Sequence, residues 1–236
     1  MILTAHQVGY MPWLGLFAKI ASSDKFVCFD DVQYEKRGWN NRNYIKAHNG
    51  PVLLTVPVES NNHFAKKLRE MEVVPGNWQR KHMRSIELTY KRAPYFEQHY
   101  RGVGAILDQY ADGGLLIDLN MELLRYFMRA LGIQVPIVKA SDYTFRGMKS
   151  ELVLDMCRQL GATKYIFGGE GDGYADKQGF MNEGIEPIFQ KYDHPEYPQQ
   201  HGAFAPRMAV VDLLMNCGPD SLEILTGAKI KERKTA

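Results

Sequence analysis

The sequence predicts an α/β fold: a twisted, mainly parallel sheet with helices on both faces, Rossmann-like. Three observations predict it. Residues 1–5 form a short apolar run, followed by a loop, an amphipathic stretch and a second apolar run at 25–29, the sequence form of a βαβ unit. The same succession recurs at 133–139, 149–160 and 164–167. The runs are nearly continuous rather than alternating, as in strands covered on both faces.

The elements follow in order. Pro12 opens a helix over 13–22 with Trp13, Leu16, Phe17 and Ile20 on one face; the N–H that proline lacks would have no helical partner there. Residues 30–42 are polar and rich in turn formers. Residues 44–47 and 51–57 read as a hairpin around Asn49 and Gly50. Residues 60–76 are a polar connection with an irregular strand at 71–74. Three helices are predicted over 78–92, 94–110 and 115–131, the last stopped by Gly132. Residues 75–132 therefore read as a helical insertion. A helix over 149–160 closes at Gly161, a strand is expected at 185–189, and a helix over 207–216 follows Pro206. A final helix starts near Asp220. There is no internal repeat. A single domain is expected over residues 1–228, with a polar, fraying tail at 229–236.

Composition narrows the function classes. A hydrophobic content of 45% with 24% charged residues excludes a disordered chain. Lys and Arg number 29 against 27 Asp and Glu, so the net charge of +2 gives the whole molecule no attraction for nucleic acid or anionic membrane. Cys28, Cys157 and Cys217 lie in apolar runs, are odd in number and form no CxxC pair, the pattern of reduced core thiols in a reducing cytoplasm. The N-terminus has no basic region before an apolar run, so no signal peptide is read. No stretch approaches the ~18 apolar residues of a membrane span.

Open parallel sheets bind ligands beyond the carboxyl ends of their strands, so the residues following each strand are the candidates. After the first strand come His6, Gln7, Gly9, Tyr10 and Trp13. A histidine at a strand end, then a glycine and a helix start, suits a phosphate, because helix N–H groups and imidazole both donate. After the second strand, residues 30–43 include Asp30, Gln33, Tyr34, Lys36, Arg37, Trp39, Asn41, Arg42 and Asn43. Arginine forks match phosphate or carboxylate oxygens, and the aromatic rings can stack on a sugar or base. Lys149 and Ser150 open a helix and can hold an oxyanion, although Tyr143 and Met148 stand where a Walker A loop needs glycines. Gly168, Gly169, Gly171 and Gly173 permit close backbone approach around Glu170, Asp172 and Tyr174. Glu170 is a candidate base, and with Asp172 a candidate Mg²⁺ ligand.

Other chemistries lack their signatures. No HExxH or CxxC/His pattern is present, and His63, His82 and His99 are far apart, so no metal centre is expected. There is no GxSxG elbow, and no GxGxxG opens the first turn, which argues against hydrolase and nicotinamide chemistry. Asp212, on an apolar helix, is expected to pair within the fold.

One extended pattern adds to this reading. His6, Gln7, Pro12 through Gly15, Lys19, Ile20, Ser23, Asp24, Asp31 through Tyr34, Lys36, Asn41 through Asn43 and Thr55 through Val58 occur in that order. They are followed by Leu160 through Ala162, Tyr165, Gly168, Gly169, Tyr174, Gly184, Ile185, Tyr192, Pro195, Tyr197, Phe204, Pro206, Asp212 through Leu214, Gly218 and Pro219. The whole resembles the WbqC-like family, over residue 2 to about residue 225. It departs at Val8, where the family pattern has proline, and at Glu170, where a small hydroxyl residue is common.

The resemblance implies a role in surface-polysaccharide or related amino-sugar biosynthesis. The expectation is an enzyme, a transferase placing an acyl or aminoacyl group on an amino-sugar or nucleotide-linked metabolite. His6 and Glu170 would be catalytic. Gln7, Tyr10, Trp13, Gln33, Lys36, Asn41, Arg42, Asn43, Lys149, Ser150, Gly169 and Tyr174 would bind a small, phosphate-bearing substrate. A nucleotidyl-transferase or adenylate-forming ligase using a nucleotide with Mg²⁺ is the second expectation. A non-catalytic assembly protein of a polysaccharide pathway is the third.

Overall fold

The computed structural model describes residues 1–61 and 66–227; His63 and the polar tail expected at 229–236 lie outside the described residues. The chain opens on β1 (Ile2–His6), α1 (Leu14–Ala21) and β2 (Lys25–Cys28), the βαβ unit read from the sequence. A hairpin of β3 (Arg42–Ala47) and β4 (Gly50–Thr55) follows, its register closing on Ala47 opposite Gly50, so that His48 and Asn49 form the turn. Then come β5 (Glu72–Val73), α2 (Trp78–Tyr90), α3 (Phe96–Gln109), β6 (Gly114–Leu115) and α4 (Leu116–Leu131). The rest comprises β7 (Ile137–Lys139), α5 (Ser150–Leu160), β8 (Lys164–Phe167), α6 (Lys177–Asn182), β9 (Glu186–Phe189), α7 (Val210–Cys217) and α8 (Ser221–Thr226).

Five strands form one parallel sheet in the order β7-β2-β1-β8-β9. The protein is thus α/β and Rossmann-like. One face is covered by α1, α4 and α7, with α2 and α3 behind them in a single apolar cluster that includes Phe17, Ile86, Val103, Leu123, Phe127 and Leu213. The other face carries α5 and α6 over Leu3, Ala5, Val27, Met156, Phe167 and Phe180. The helices of residues 75–132 therefore share one continuous core with the first helix of the sheet.

Local chemistry accounts for the element ends. Gly132 and Gly161 stop α4 and α5 with φ of 74° and 69°, left-handed values that side chains with a Cβ resist. The strand expected at 133–139 shortens to Ile137–Lys139, because the helix-stopping turn and Pro136, which has no N–H, occupy its first half. Two elements escape the sequence reading. β6 has only two residues. α6 has six, too few to show a period, and is capped by the Asp176 carboxylate accepting from the Gly179 N–H at 3.0 Å. The three cysteines are free and buried, and burial pushes the Cys28 and Cys157 thiols up to about 12. No helix among the described residues is long and apolar enough to cross a membrane.

Candidate functional site

β1 and β8 are neighbours, yet the chain leaves them in opposite directions, β1 toward β2 and β8 toward β9. Such a reversal opens a crevice at the carboxyl ends of the two strands. His6 ends β1. It is paired with Cys28 on one side, and the β1–β8 register, Thr4 opposite Ile166, carries forward to place Gly168 on the other.

The His6 side chain is solvent-exposed at the end of β1, although many protein atoms lie around it. Crowding by the protein, and then the charge of Lys19, lower its pKa to about 3, so the ring is neutral at physiological pH. Lys19 projects from α1 and keeps only 3% of its surface; its Nζ donates to the Ala5 carbonyl at 3.0 Å, one residue before His6. Burial lowers its ammonium to about 8.

The loop after β1 is stitched to the loop after β2. The Tyr10 N–H donates to the Asn40 carbonyl at 3.1 Å. Asn120, fully buried on α4, donates from Nδ2 to the carbonyls of Val8 at 3.0 Å and Asn40 at 2.8 Å. Gly9 sits so close to Trp39 that a Cβ would lie 2.6 Å from the Trp39 carbonyl oxygen. The loop after β7 is held to the end of β2 through buried Asp30, which accepts from the Ser141 N–H at 2.9 Å and from its hydroxyl. The α5 start is held to the loop after β8, since the Ser150 hydroxyl accepts from the Asp176 N–H at 2.8 Å.

The predicted site residues divide by environment. His6, Gln33, Lys36, Lys149, Gly169, Glu170 and Tyr174 are exposed, and Trp13 is 38% exposed with its ring edge-on to Tyr192 at 5.5 Å. Gln7, Arg42 and Ser150 are half-buried. Lys149 caps α5 with φ at 51°, a conformation rare for a residue with a Cβ. Arg42 hydrogen-bonds Tyr34 and donates from Nε to Asn41 Oδ1 at 3.3 Å.

Three predicted binders are occupied in the framework. Tyr10 is fully buried, its hydroxyl 2.9 Å from His82 Nδ1. Asn41 donates to the Val56 carbonyl at 2.8 Å, and Asn43 to the Met11 carbonyl at 2.7 Å. Asn43 thereby steadies Met11, whose φ of 43° is strained for a residue with a Cβ. Asp212 accepts from Tyr90, Tyr197 and Gln199 at 2.7–2.8 Å, pairing within the fold. Beside Glu170, the Asp172 carboxylate is ion-paired with Lys177. Gly171 is sterically required, since a Cβ there would lie 2.5 Å from the Phe167 Cβ.

Sequence reasoning did not single out Lys19 or Asn120 as parts of the site, nor Gln190, whose amide crosses from the end of β9 to the Gly15 carbonyl at 2.9 Å. Lys19 left a signal: it is the one cation in an otherwise apolar eight-residue helix. Asn120 and Gln190 left none. A cavity of about 610 Å³ between the start of α2 and the end of α3, lined by Asn77, Gln79, Arg80, Asp108 and Asp112, shares no residue with the crevice. Among the described residues, no three His, Cys, Asp or Glu side chains are grouped as a metal centre requires.

The model of the WbqC-like protein family matches residues 7–224. The chain belongs to the WbqC-like family. This WbqC-like protein is also 34% identical over 220 residues to the uncharacterized protein Rv1507c of Mycobacterium tuberculosis (strain ATCC 25618 / H37Rv), covering 93% of this chain and 95% of that one. No solved structure matches it at a significant level.

Proposed function

We propose that this WbqC-like protein is a transferase that places an acyl or aminoacyl group on an amino-sugar or nucleotide-linked metabolite, in surface-polysaccharide or related biosynthesis. The crevice between β1 and β8 is its active site. The observation that carries the reading is His6: a neutral, solvent-reached imidazole at the point where the parallel sheet reverses direction. A neutral ring donates a hydrogen bond from one nitrogen to the carbonyl oxygen that becomes an oxyanion when an amine attacks. Glu170, on the loop after β8, takes the proton that the amine loses, and the carbonyl re-forms as the bond to the donor's thiolate or alkoxide breaks and that leaving group takes up the proton. Lys36, Arg42, Lys149 and Ser150 hold phosphate, and Trp13 and Tyr174 offer exposed rings for a sugar or base. Nucleotidyl transfer would draw on Glu170 and Asp172 to hold Mg²⁺; the engagement of Asp172 by Lys177 favours the acyl-transfer reading. The protein works in the cytoplasm on this reading.

A thermal-shift comparison of the wild type and His6→Ala tests it, with acyl-thioesters, nucleotide sugars and nucleotides, each with and without Mg²⁺. A ligand at 100 times its dissociation constant adds about 2.7 kcal/mol, or roughly 5–10 °C for a chain of this size. An acyl-thioester or nucleotide sugar is expected to raise the wild-type Tm and to leave His6→Ala unchanged. Equal shifts in both proteins, or none in the wild type, overturn the assignment. A shift that requires Mg²⁺ and a nucleoside triphosphate transfers it to nucleotidyl chemistry.

A further inference from the structure

Lys19 carries a full charge into the core for a single hydrogen bond. Every residue from Leu14 to Ile20 is buried, and the others in that run are apolar. An ammonium has three donors, and hydrogen bonding shows one in use, toward Ala5. No carboxylate among the described residues is ion-paired with it, whereas seven other cations have acidic partners. Buried charges are ordinarily paired, because desolvation costs more than one hydrogen bond recovers. Where this charge sits is specific: against the carbonyl that precedes His6, with its field reaching the His6 ring.

We propose that Lys19 is a further anion-holding group of the crevice, and that a phosphate or carboxylate of the substrate completes its ion pair beside His6. The inference rests on the crevice being the substrate site and adds Lys19 to the groups that hold an oxyanion there. Burial first, and the Lys19 charge second, keep the His6 ring neutral, and an anion that neutralises Lys19 lifts only the second of these. The ring therefore stays neutral, as its role as a hydrogen-bond donor to the oxyanion requires. Phosphate and carboxylate share this chemistry, and they are separated by experiment.

The test is nitrogen-detected NMR of the full chain, following the His6 ring and the Lys19 Nζ during separate titrations with inorganic phosphate and with acetate. In the wild type, both signals are expected to move together and saturate with one of the two anions, which names the class. Lys19→Met is expected to fold with little change in Tm, since relief of the buried ammonium's desolvation offsets the hydrogen bond lost at the Ala5 carbonyl, and to bind that anion about 10- to 100-fold more weakly, the loss of a charge-assisted hydrogen bond. Lys19→Arg is expected to retain binding within about tenfold. The proposal is overturned if neither anion saturates the wild-type signals, or if a folded Lys19→Met titrates with the wild-type midpoint. A marked fall in the Tm of Lys19→Met would instead make Lys19 a structural tether. Anion binding without any acyl-donor effect in the thermal-shift screen would sink the transferase reading and leave this one standing.

Discussion

Replacing Asn120 with alanine severs the tie between the loops after β1 and β2, and the structure sets the size of the effect. Asn120 Nδ2 makes two buried hydrogen bonds, to Val8 and Asn40. Asn40 keeps the Tyr10 N–H as a partner at 3.1 Å, so losing that bond costs about 1 kcal/mol. Leaving the Val8 carbonyl without this donor costs about 2 kcal/mol, and the cavity left by the carboxamide about 1 kcal/mol. Two terms oppose these. Asn120 Oδ1 is buried without a partner, and its removal recovers about 1 kcal/mol. Alanine is also the better helix former, by about 0.5 kcal/mol. The net loss is about 2–3 kcal/mol. Urea unfolding followed by circular dichroism reads it directly, with the midpoint lowered and the slope unchanged. Amide exchange at Val8, Gly9 and Tyr10 should accelerate more than exchange in α4, because the loops lose their common anchor while the helix keeps its own bonds. A loss below about 1 kcal/mol, or uniform acceleration across the protein, would refute the idea that Asn120 holds the two loops in place.

Acid should destabilise the protein through His82. Burial lowers its pKa from 6.5 to about 4, against a smaller opposing hydrogen bond to the Thr55 backbone. The unfolded chain therefore takes up the proton first, and stability is lost as pH falls from about 6.5 to about 4, by about 3 kcal/mol from this residue alone. His82→Gln should lessen the slope there by this residue's share, while His6, His99 and His194, lowered as well, keep the remainder, and an unchanged slope in urea titrations across this range would count against it. Gly9→Ala should cost about 1–3 kcal/mol, because its Cβ meets the backbone oxygen of Trp39 and not a side chain that can turn away. Gly168→Ala, with nothing within 4 Å of its Cβ, is the matched control and should stay within about 0.5 kcal/mol. Equal melting temperatures for the two variants would show that the close approach at Gly9 relaxes without cost.

Much of this protein was determined by the sequence alone, because it depended on properties local to a few residues. Continuous apolar runs marked β1, β2 and β8, and the glycines at 132 and 161 marked the ends of α4 and α5, since only steric freedom at one residue is involved. His6 could be placed at a strand end, and the family pattern read, for the same reason. The tertiary structure decided what depends on groups distant in the chain. It sets the strand order, and with it the reversal between β1 and β8, because strand pairing joins residues some 160 positions apart. It separates Asn41 and Asn43, which hold backbone carbonyls, from Arg42 between them, a distinction invisible in three consecutive polar residues. It buries Tyr10 against His82, seventy-two positions away. It also brings the Lys19 ammonium to the carbonyl of Ala5, the residue before His6, where the energy of a buried charge depends on which partners surround it, and sequence neighbours do not supply them.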